Sequence, residues 1–251
     1  MLKEFPADLH VHTCLSPCAE DEMVPPNILN MARLMGIEIL GIADHNSAKN
    51  LSAMVEASCG FDGLILPGIE VQTREEVHVL CYFESLKVAM EFQDFIYEHL
   101  PPKKNDPRRL GRQYVVDKMG NVTGEEERLL IASVDLSVDE VAEKVFDFGG
   151  IFIPAHVDRM SFGIIGQLGF IPADMKVHAV EFSKNVSVDE ARCRFPDIFA
   201  KYPVVFSSDA HCLQDMVFKK TYFLLKEPTF EEVKKAFNGL DGRRVVLKGK
   251  F

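Results

Sequence analysis

The chain has 251 residues, 47% of them apolar, which is enough for a substantial core in one α/β barrel-sized domain or two smaller ones. With 28 Lys plus Arg against 38 Asp plus Glu, the formal charge of −10 argues against non-specific nucleic-acid binding by the bare surface. It leaves room for a locally positive site built around bound metal ions, which a sequence charge does not count.

The opening "MLKEFPADLH" lacks the apolar run of a signal peptide. No stretch approaches the roughly 18 apolar residues of a membrane helix. The cysteines form no CxxC pair, which fits a reducing compartment. A cytoplasmic protein without membrane contact is therefore expected.

The predicted elements alternate between strands and helices. "FPADLHVH" reads as a strand carrying His10 and His12. Residues i and i+2 of a strand share a face, so the two imidazoles aim at one point. "PPNILNMARLMG" has proline at its start and Gly36 at its end, as a helix does. "IEILGIADH" is a strand ending in Asp44 and His45. Neighbours on a strand face opposite ways, so one of the two reaches a site and the other supports it from behind. His45 is taken as the ligand and Asp44 as the support or alternative ligand.

A helix over "SAKNLSAMVEASCG" follows, then the strands "GLILPGIEV" with Glu70 and "EVHVLCYF" with His78. Residues 101–130 break the rhythm with mixed charges, turn residues and a hairpin pattern around Met119, Gly120 and Asn121. This stretch is a surface excursion or a lid. "LSVDEVAEKVFDFGG" opens with a capping box, Ser137 and Glu140. "GGIFIPAHVDR" ends near His156, "VHAVEFSKN" near Lys184 and "YPVVFSSDAH" in Asp209 and His211, with a helix over "SVDEARCRFPDIFAKY" and another over "TFEEVKKAFNGL". Such alternation implies parallel strands with crossover helices, closed or nearly closed into a barrel. Functional groups gather at the carboxyl ends of strands in such folds.

Most of the histidines sit near these strand ends with a carboxylate in the same stretch. Imidazoles and carboxylates together suit zinc, manganese or iron, whereas an oxygen-only calcium site would not need them. His99 and His178 match no pattern. There is no P-loop and no dinucleotide fingerprint. Ser207 and Ser208 flank Asp209 without a separate base.

The ordered set "DLHVH", "GIADHN", "GIEV", "EVHVL", "PAHVD" and "SSDAH" resembles the PHP (polymerase and histidinol phosphatase) superfamily of metal-dependent phosphoesterases. The resemblance implies a distorted (β/α)7 barrel. The whole chain, 1–251, would be one such domain, with a hairpin or lid inserted at about 101–130. It implies two or three divalent ions (Zn, Mn or Fe) held by His10, His12, His45, Glu70, His78, His156, Asp209 and His211.

One further ligand falls in the loop "CLSPCAEDEMVPP". Histidinol phosphatase-like members tend to use histidine there, and nucleotide- and RNA-processing members aspartate. Counting back from Pro25, Glu20 takes the acidic position, with Asp21, Glu22 and Cys18 as alternatives. The implied activity is hydrolysis of a phosphomonoester of a small molecule or nucleotide. Metal-bound water, with its pKa lowered to about 7, is the nucleophile, and no protein nucleophile is needed. Arg159, Lys184 and Asn46 are candidates for the substrate phosphate. Two alternatives stand beside this one. The first is an exonuclease on short RNA or DNA, for which "KKNDPRRLGR" is the basic patch. The second is a non-catalytic metal-binding module.

Overall fold

The computed structural model describes residues 1–217 and 220–249. Its strands are β1 (Lys3–Val11), β2 (Ile39–His45), β3 (Leu64–Gln72), β4 (His78–Tyr82), β5 (Tyr114–Val116), β6 (Val122–Glu125), β7 (Ile151–Pro154), β8 (Val180–Phe182), β9 (Val204–Phe206), β10 (Thr221–Leu225) and β11 (Arg244–Leu247). Seven of them form a curled mixed sheet in the order β11-β10-β1-β2-β3-β4-β7. The fold is therefore mixed α/β, as expected, with a half-barrel sheet.

The expectation of uniformly parallel strands is corrected. β1, β2 and β3 are parallel, but β4 runs antiparallel to both β3 and β7. Residues 73–77, between β3 and β4, are too few for a crossover, and only an antiparallel return can be made so tightly. β10 and β11, absent from the predicted runs, add an antiparallel edge beside β1. β8 and β9 form a separate parallel pair.

Alternation decides which side chains face inward. Ile39 and Ala43 of β2, Leu66 of β3, Leu80 and Tyr82 of β4, and Ile151 and Ile153 of β7 belong to one buried cluster. Phe230, Val233 and Phe237, on the helix Phe230–Phe237, join the same cluster. The intervening residues Leu40, Ile42, Ile69, Val79, Cys81 and Phe152 pack in a second cluster with the helices. Toward one edge of the sheet the inner positions change from aliphatic to ionisable: Ala43 gives way to His45 and Leu66 to Glu70. His78 lies at the amino end of β4, and because that strand runs backward, this is the same edge.

β1 needs a correction of phase to join them. Its register against β2 shifts between Asp8 and Val11, a bulge that sets Val11 in the outer cluster and leaves His10 and His12 facing inward. Gly41 makes the bulge possible, since a Cβ there would meet the Leu9 carbonyl oxygen at 2.3 Å. The Tyr82 hydroxyl, lying over Gly68, donates to that same carbonyl.

The helices follow their local signals. Pro25–Met35 ends on Gly36 at φ 60, and Val138–Asp147 has the full Ser137/Glu140 capping box. The expected helix over 187–202 is broken into Val188–Arg194 and Pro196–Lys201, because Pro196 cannot donate within a continuous helix. The one over 47–60 shortens to Leu51–Ala57, as Ser47 Oγ and the Ala48 amide both bond to Gln93. β5 and β6 make the hairpin of the insertion, with Asp117 Oδ1 accepting from the Met119 and Asn121 amides in its turn.

Glu232 and Arg243 are both buried and joined by two hydrogen bonds of 3.0 Å. The guanidinium holds the Glu232 carboxyl at about 2, below its ordinary 4.5. That stabilisation is present above pH 4.5 and is lost as pH falls through about 2. Glu232→Gln is expected to cost about 1–2 kcal/mol at neutral pH, the modest end for a charge-assisted pair near the molecular edge. Urea unfolding across pH checks this: the two proteins should converge as pH approaches 2, and a constant difference would contradict the assignment.

Candidate metal centre

Five imidazoles surround one carboxylate. Glu70 is fully enclosed, with His78 Nδ1 at 2.9 Å and His10 and His156 Nε2 at 3.3 Å from Oε1. His45 Nδ1 lies 2.9 Å and His12 Nε2 3.4 Å from Oε2. Asp209 Oδ1 is 3.3 Å from His12 Nε2, 3.4 Å from His10 Nε2 and 3.5 Å from His211 Nδ1. The sequence-predicted ligands His10, His12, His45, Glu70, His78, His156, Asp209 and His211 are thus brought together. Their register explains part of this: His45 pairs with Glu70 across β2 and β3, and Gln72 with His78 across β3 and β4.

The backbone is strained where alternation alone fails. His156 follows the inward Ala155 and would face outward, but it takes φ 28 and turns back to Glu70. Asp209 (φ 49) and Asn46 (φ 47) sit in the same left-handed region. Each such conformation costs about 1–3 kcal/mol in a residue with a Cβ and survives where the surroundings enforce it.

Supporting groups fix which imidazole nitrogen points inward. Asp44 accepts from the Thr13 amide, the Thr13 hydroxyl and the Ser16 hydroxyl, all at 2.7 Å. With its proton spent on Asp44, Ser16 Oγ accepts from His12 Nδ1 at 2.9 Å, leaving the lone pair on Nε2. Asp44 therefore acts through Ser16 rather than on the cluster directly. His10 Nδ1 lies 3.0 Å from Glu181 Oε2, His78 Nε2 3.0 Å from Gln72 Oε1, and His211 Nδ1 3.0 Å from the Asp209 carbonyl. Each bond frees the opposite nitrogen.

Sequence reasoning missed Glu181, Ser16 and Gln72. Glu181 had a signal: a carboxylate inside the apolar run "HAVEF", fully buried in the structure.

The electrostatics are tightly opposed. Burial pushes the Glu70 and Asp209 carboxyls up, yet His78 and His10 beside Glu70, and His10 and His12 beside Asp209, hold both well below the usual range. Burial, then the His211 and His45 charges, push His12 down. His10 is raised against the effect of burial by Glu181, Asp209 and Glu70.

The donor set fits metal ions. With metal–ligand bonds of about 2.0–2.1 Å, two ligand atoms subtending about 90–110° lie roughly 2.9–3.4 Å apart. The separations around Glu70 fall in that window. Glu70 Oε2 and His45 Nδ1 are buried without any hydrogen-bond partner, although they lie 2.9 Å apart. Buried polar atoms left unpaired in this way call for an ion. Three groups of donors lie close enough to share one: His12, His45 and His211; His10, His12 and Glu70; and His45, Glu70 and His78.

The remaining predicted residues spread around the opening. Glu20, Asp21 and Glu22 are exposed, and none belongs to these groups. Cys18 of the same loop is exposed too and belongs to none of these groups, but its Sγ lies 3.2 Å from His45 Nε2. Arg159, 33% exposed, lies 2.7 Å from Asp209 Oδ2. Lys184 pairs with Asp215. Asn46 is buried, donates to the Leu130 and Ala132 carbonyls and accepts from the Gln72 amide, so it ties the end of β3 to the turn at 130–132. Phe162, at φ 63, stacks on the His78 ring with centroids 4.6 Å apart. His99 sits in the last turn of the helix Leu86–His99, and His178 accepts from the Phe152 amide.

No protein-family model matches the chain. Its fold is similar to that of a lesion-specific endonuclease, PfuEndoQ from Pyrococcus furiosus (TM-score 0.72, 20% identity, 97% of this chain and 58% of that one). Endonuclease Q in complex with a 27-mer duplex carrying an abasic lesion at the active site matches likewise (TM-score 0.74, 21% identity, 96% and 58%). So does a Bifidobacterium adolescentis protein described as a metal-dependent phosphoesterase (TM-score 0.55, 18% identity, 81% and 87%). These likenesses of fold agree with the resemblance drawn from the sequence motifs. Uncharacterized protein YqxK of Bacillus subtilis is 23% identical over 276 residues, which cover 98% of this chain and 65% of that protein. The chain thus spans less than two thirds of that relative and of the endonuclease. Among the described residues no helix is long and apolar enough to cross a membrane.

Glu181→Gln keeps the shape but removes the charge behind His10. It is expected to weaken metal binding about 10–100-fold, as loss of a ligand's supporting partner does. Chelator competition against the wild type checks this, and unchanged affinity in a folded variant would contradict the role given to Glu181.

Proposed function

We propose that the cluster holds two or three divalent ions, zinc, manganese or iron, and that the protein hydrolyses a phosphoester of a small molecule or nucleotide. The reading is carried by one observation: a buried carboxylate, Glu70, within 3.4 Å of five imidazoles and unpaired at Oε2. His10, His12, His45, Glu70, His78, His156, Asp209 and His211 are the ligands. Bound divalent ions supply charge for a phosphoryl oxygen and make water nucleophilic near neutral pH.

The protein's own groups do the rest. Glu181, Ser16 and Gln72 orient the imidazoles, so little reorganisation is needed when substrate binds. Arg159 stands beside Asp209 at the opening, where its guanidinium can take a phosphate in two parallel hydrogen bonds. The Ser208 hydroxyl is committed to the His10 carbonyl, which leaves it no part as a nucleophile. The fold supports a distorted seven-strand barrel of PHP type in a single domain. A bond from His178 N to Phe152 O, and two at Ala210, from His12 N to its carbonyl and from its own N to His10 O, extend the sheet across β8 and β9 back to β1.

A second reading, cleavage of a nucleic acid, is favoured by the insertion. Lys103, Lys104, Arg108 and Arg109 are exposed there, and Gly111 packs on Pro17 in the loop beside the centre. Similarity to an endonuclease bound to damaged duplex adds to it.

Metal-reconstituted protein should be assayed against phosphomonoesters, nucleoside bisphosphates, short oligonucleotides and an abasic duplex. Turnover of at least one is expected, with the class of substrate choosing between the readings. Asp209→Asn should lower kcat/KM about 100-fold or more at matched metal loading, with little change in Tm. Equal turnover in both proteins would overturn the assignment of the centre.

A further inference from the structure

We propose that the loop ligand is the thiolate of Cys18, which completes a three-imidazole, one-sulfur zinc position with His12, His45 and His211. This rests on the metal centre but not on any choice of substrate.

Backbone bonds fix the loop. The Ser16 amide donates to the Thr13 carbonyl, Ala19 to Ser16, Glu20 to His211 and Met23 to Glu20. With the Glu20 amide held on the His211 carbonyl at 2.8 Å, Glu20 remains an exposed residue. Cys18, two residues earlier, turns its Sγ to 3.2 Å from His45 Nε2. The other thiols near this end are committed elsewhere: Cys14 Sγ donates to the Tyr114 carbonyl, and the Cys212 side chain bonds to Asp215.

Distance and chemistry agree. Zinc bonds of about 2.3 Å to sulfur and about 2.0–2.1 Å to nitrogen, at tetrahedral to right angles, put the two donors roughly 3.1–3.6 Å apart. His12, His45 and His211 already lie close enough to share an ion. His12 and His211 present Nε2, because Ser16 and the Asp209 carbonyl take their Nδ1 protons. His45 is 5% exposed, and with its Nδ1 facing Glu70 Oε2 at 2.9 Å its Nε2 is the nitrogen turned toward Cys18 Sγ. The loop is also backed from outside. A Cβ on Gly111 would meet the Pro17 carbonyl oxygen at 1.8 Å, and the Tyr114 amide donates to the Cys14 carbonyl at 3.0 Å. The insertion thus presses the turn that carries Cys18 toward the histidines.

A thiolate is a soft ligand. It selects zinc, copper(I) or iron over manganese and magnesium, where a glutamate would favour the harder ions. One position of the cluster should therefore differ in metal preference from the rest.

Cobalt(II) loading tests this by absorption. The wild type and Glu20→Gln should show a sulfur-to-cobalt charge-transfer band in the near ultraviolet, and Cys18→Ser should lose it and bind zinc at least about tenfold more weakly. A fully loaded wild type without the band, or a Cys18→Ser protein that keeps it, would overturn the proposal. If Cys18→Ser does not fold, alkylation of the wild type with iodoacetamide, mapped by peptide mass, decides the matter. Zinc should protect Cys18 and leave the exposed Cys59 and Cys193 labelled. Equal labelling of Cys18 with and without zinc would overturn it. Because the spectral and labelling results need no turnover, an absence of hydrolysis would count against the phosphoester reading alone.

Discussion

Everything at the carboxyl edge of this sheet is arranged around the cost of burying Glu70. An ionised carboxylate taken out of water must be paired and hydrogen-bonded, or it neutralises. Here it is surrounded by buried imidazoles, and three of them, His10, His12 and His78, are steadied from behind by Glu181, Ser16 and Gln72. Glu181, Ser16 with Asp44, and Gln72 therefore matter as much to the centre as the imidazoles they hold. The site is a polar network in a dry place, and such networks are stable only when nearly every member is satisfied. Two of the buried atoms left without a hydrogen-bond partner, Glu70 Oε2 and His45 Nδ1, lie side by side at its middle.

The same constraint reaches into the sheet. His10 and His12 face inward because β1 gains a residue against β2, and that bulge requires Gly41 beneath Leu9 and the Tyr82 hydroxyl on the Leu9 carbonyl. Tyr82 can lie there because Gly68 leaves room for its ring. Two glycines and a tyrosine, none able to touch a substrate, thus set the direction of two imidazoles.

Much of this was legible in the sequence, for identifiable reasons. A two-residue period places His10 with His12 wherever a strand forms, and apolar runs closed by His, Glu or Asp mark strand ends facing a site. The capping box at Ser137 and the glycine after Met35 are local signals that tertiary packing did not override. What could not be read was non-local. Nothing within "EVHVLCYF" says that the strand runs backward; that follows from the shortness of the link to β3. Glu181 hides in a strand of three residues and acts on a histidine 171 positions away. In the loop after His12, counting residues favours Glu20, while the fold of the turn brings Cys18 to the histidines. Spacing fixes which residues are near, and turn geometry fixes which of them points inward.

The contact between Gly111 and Pro17 divides the insertion into a root and a tip. At the root, any larger residue would collide with a carbonyl oxygen and occupy a φ of 95 that disfavours side chains. At the tip, Met119 is 70% exposed and packs on little. Natural variation should accordingly be unequal along these residues, frozen where the segment braces the chemistry and permissive where it meets solvent. Such an arrangement lets a lineage vary the tip of the segment while the buried histidines stay where they are.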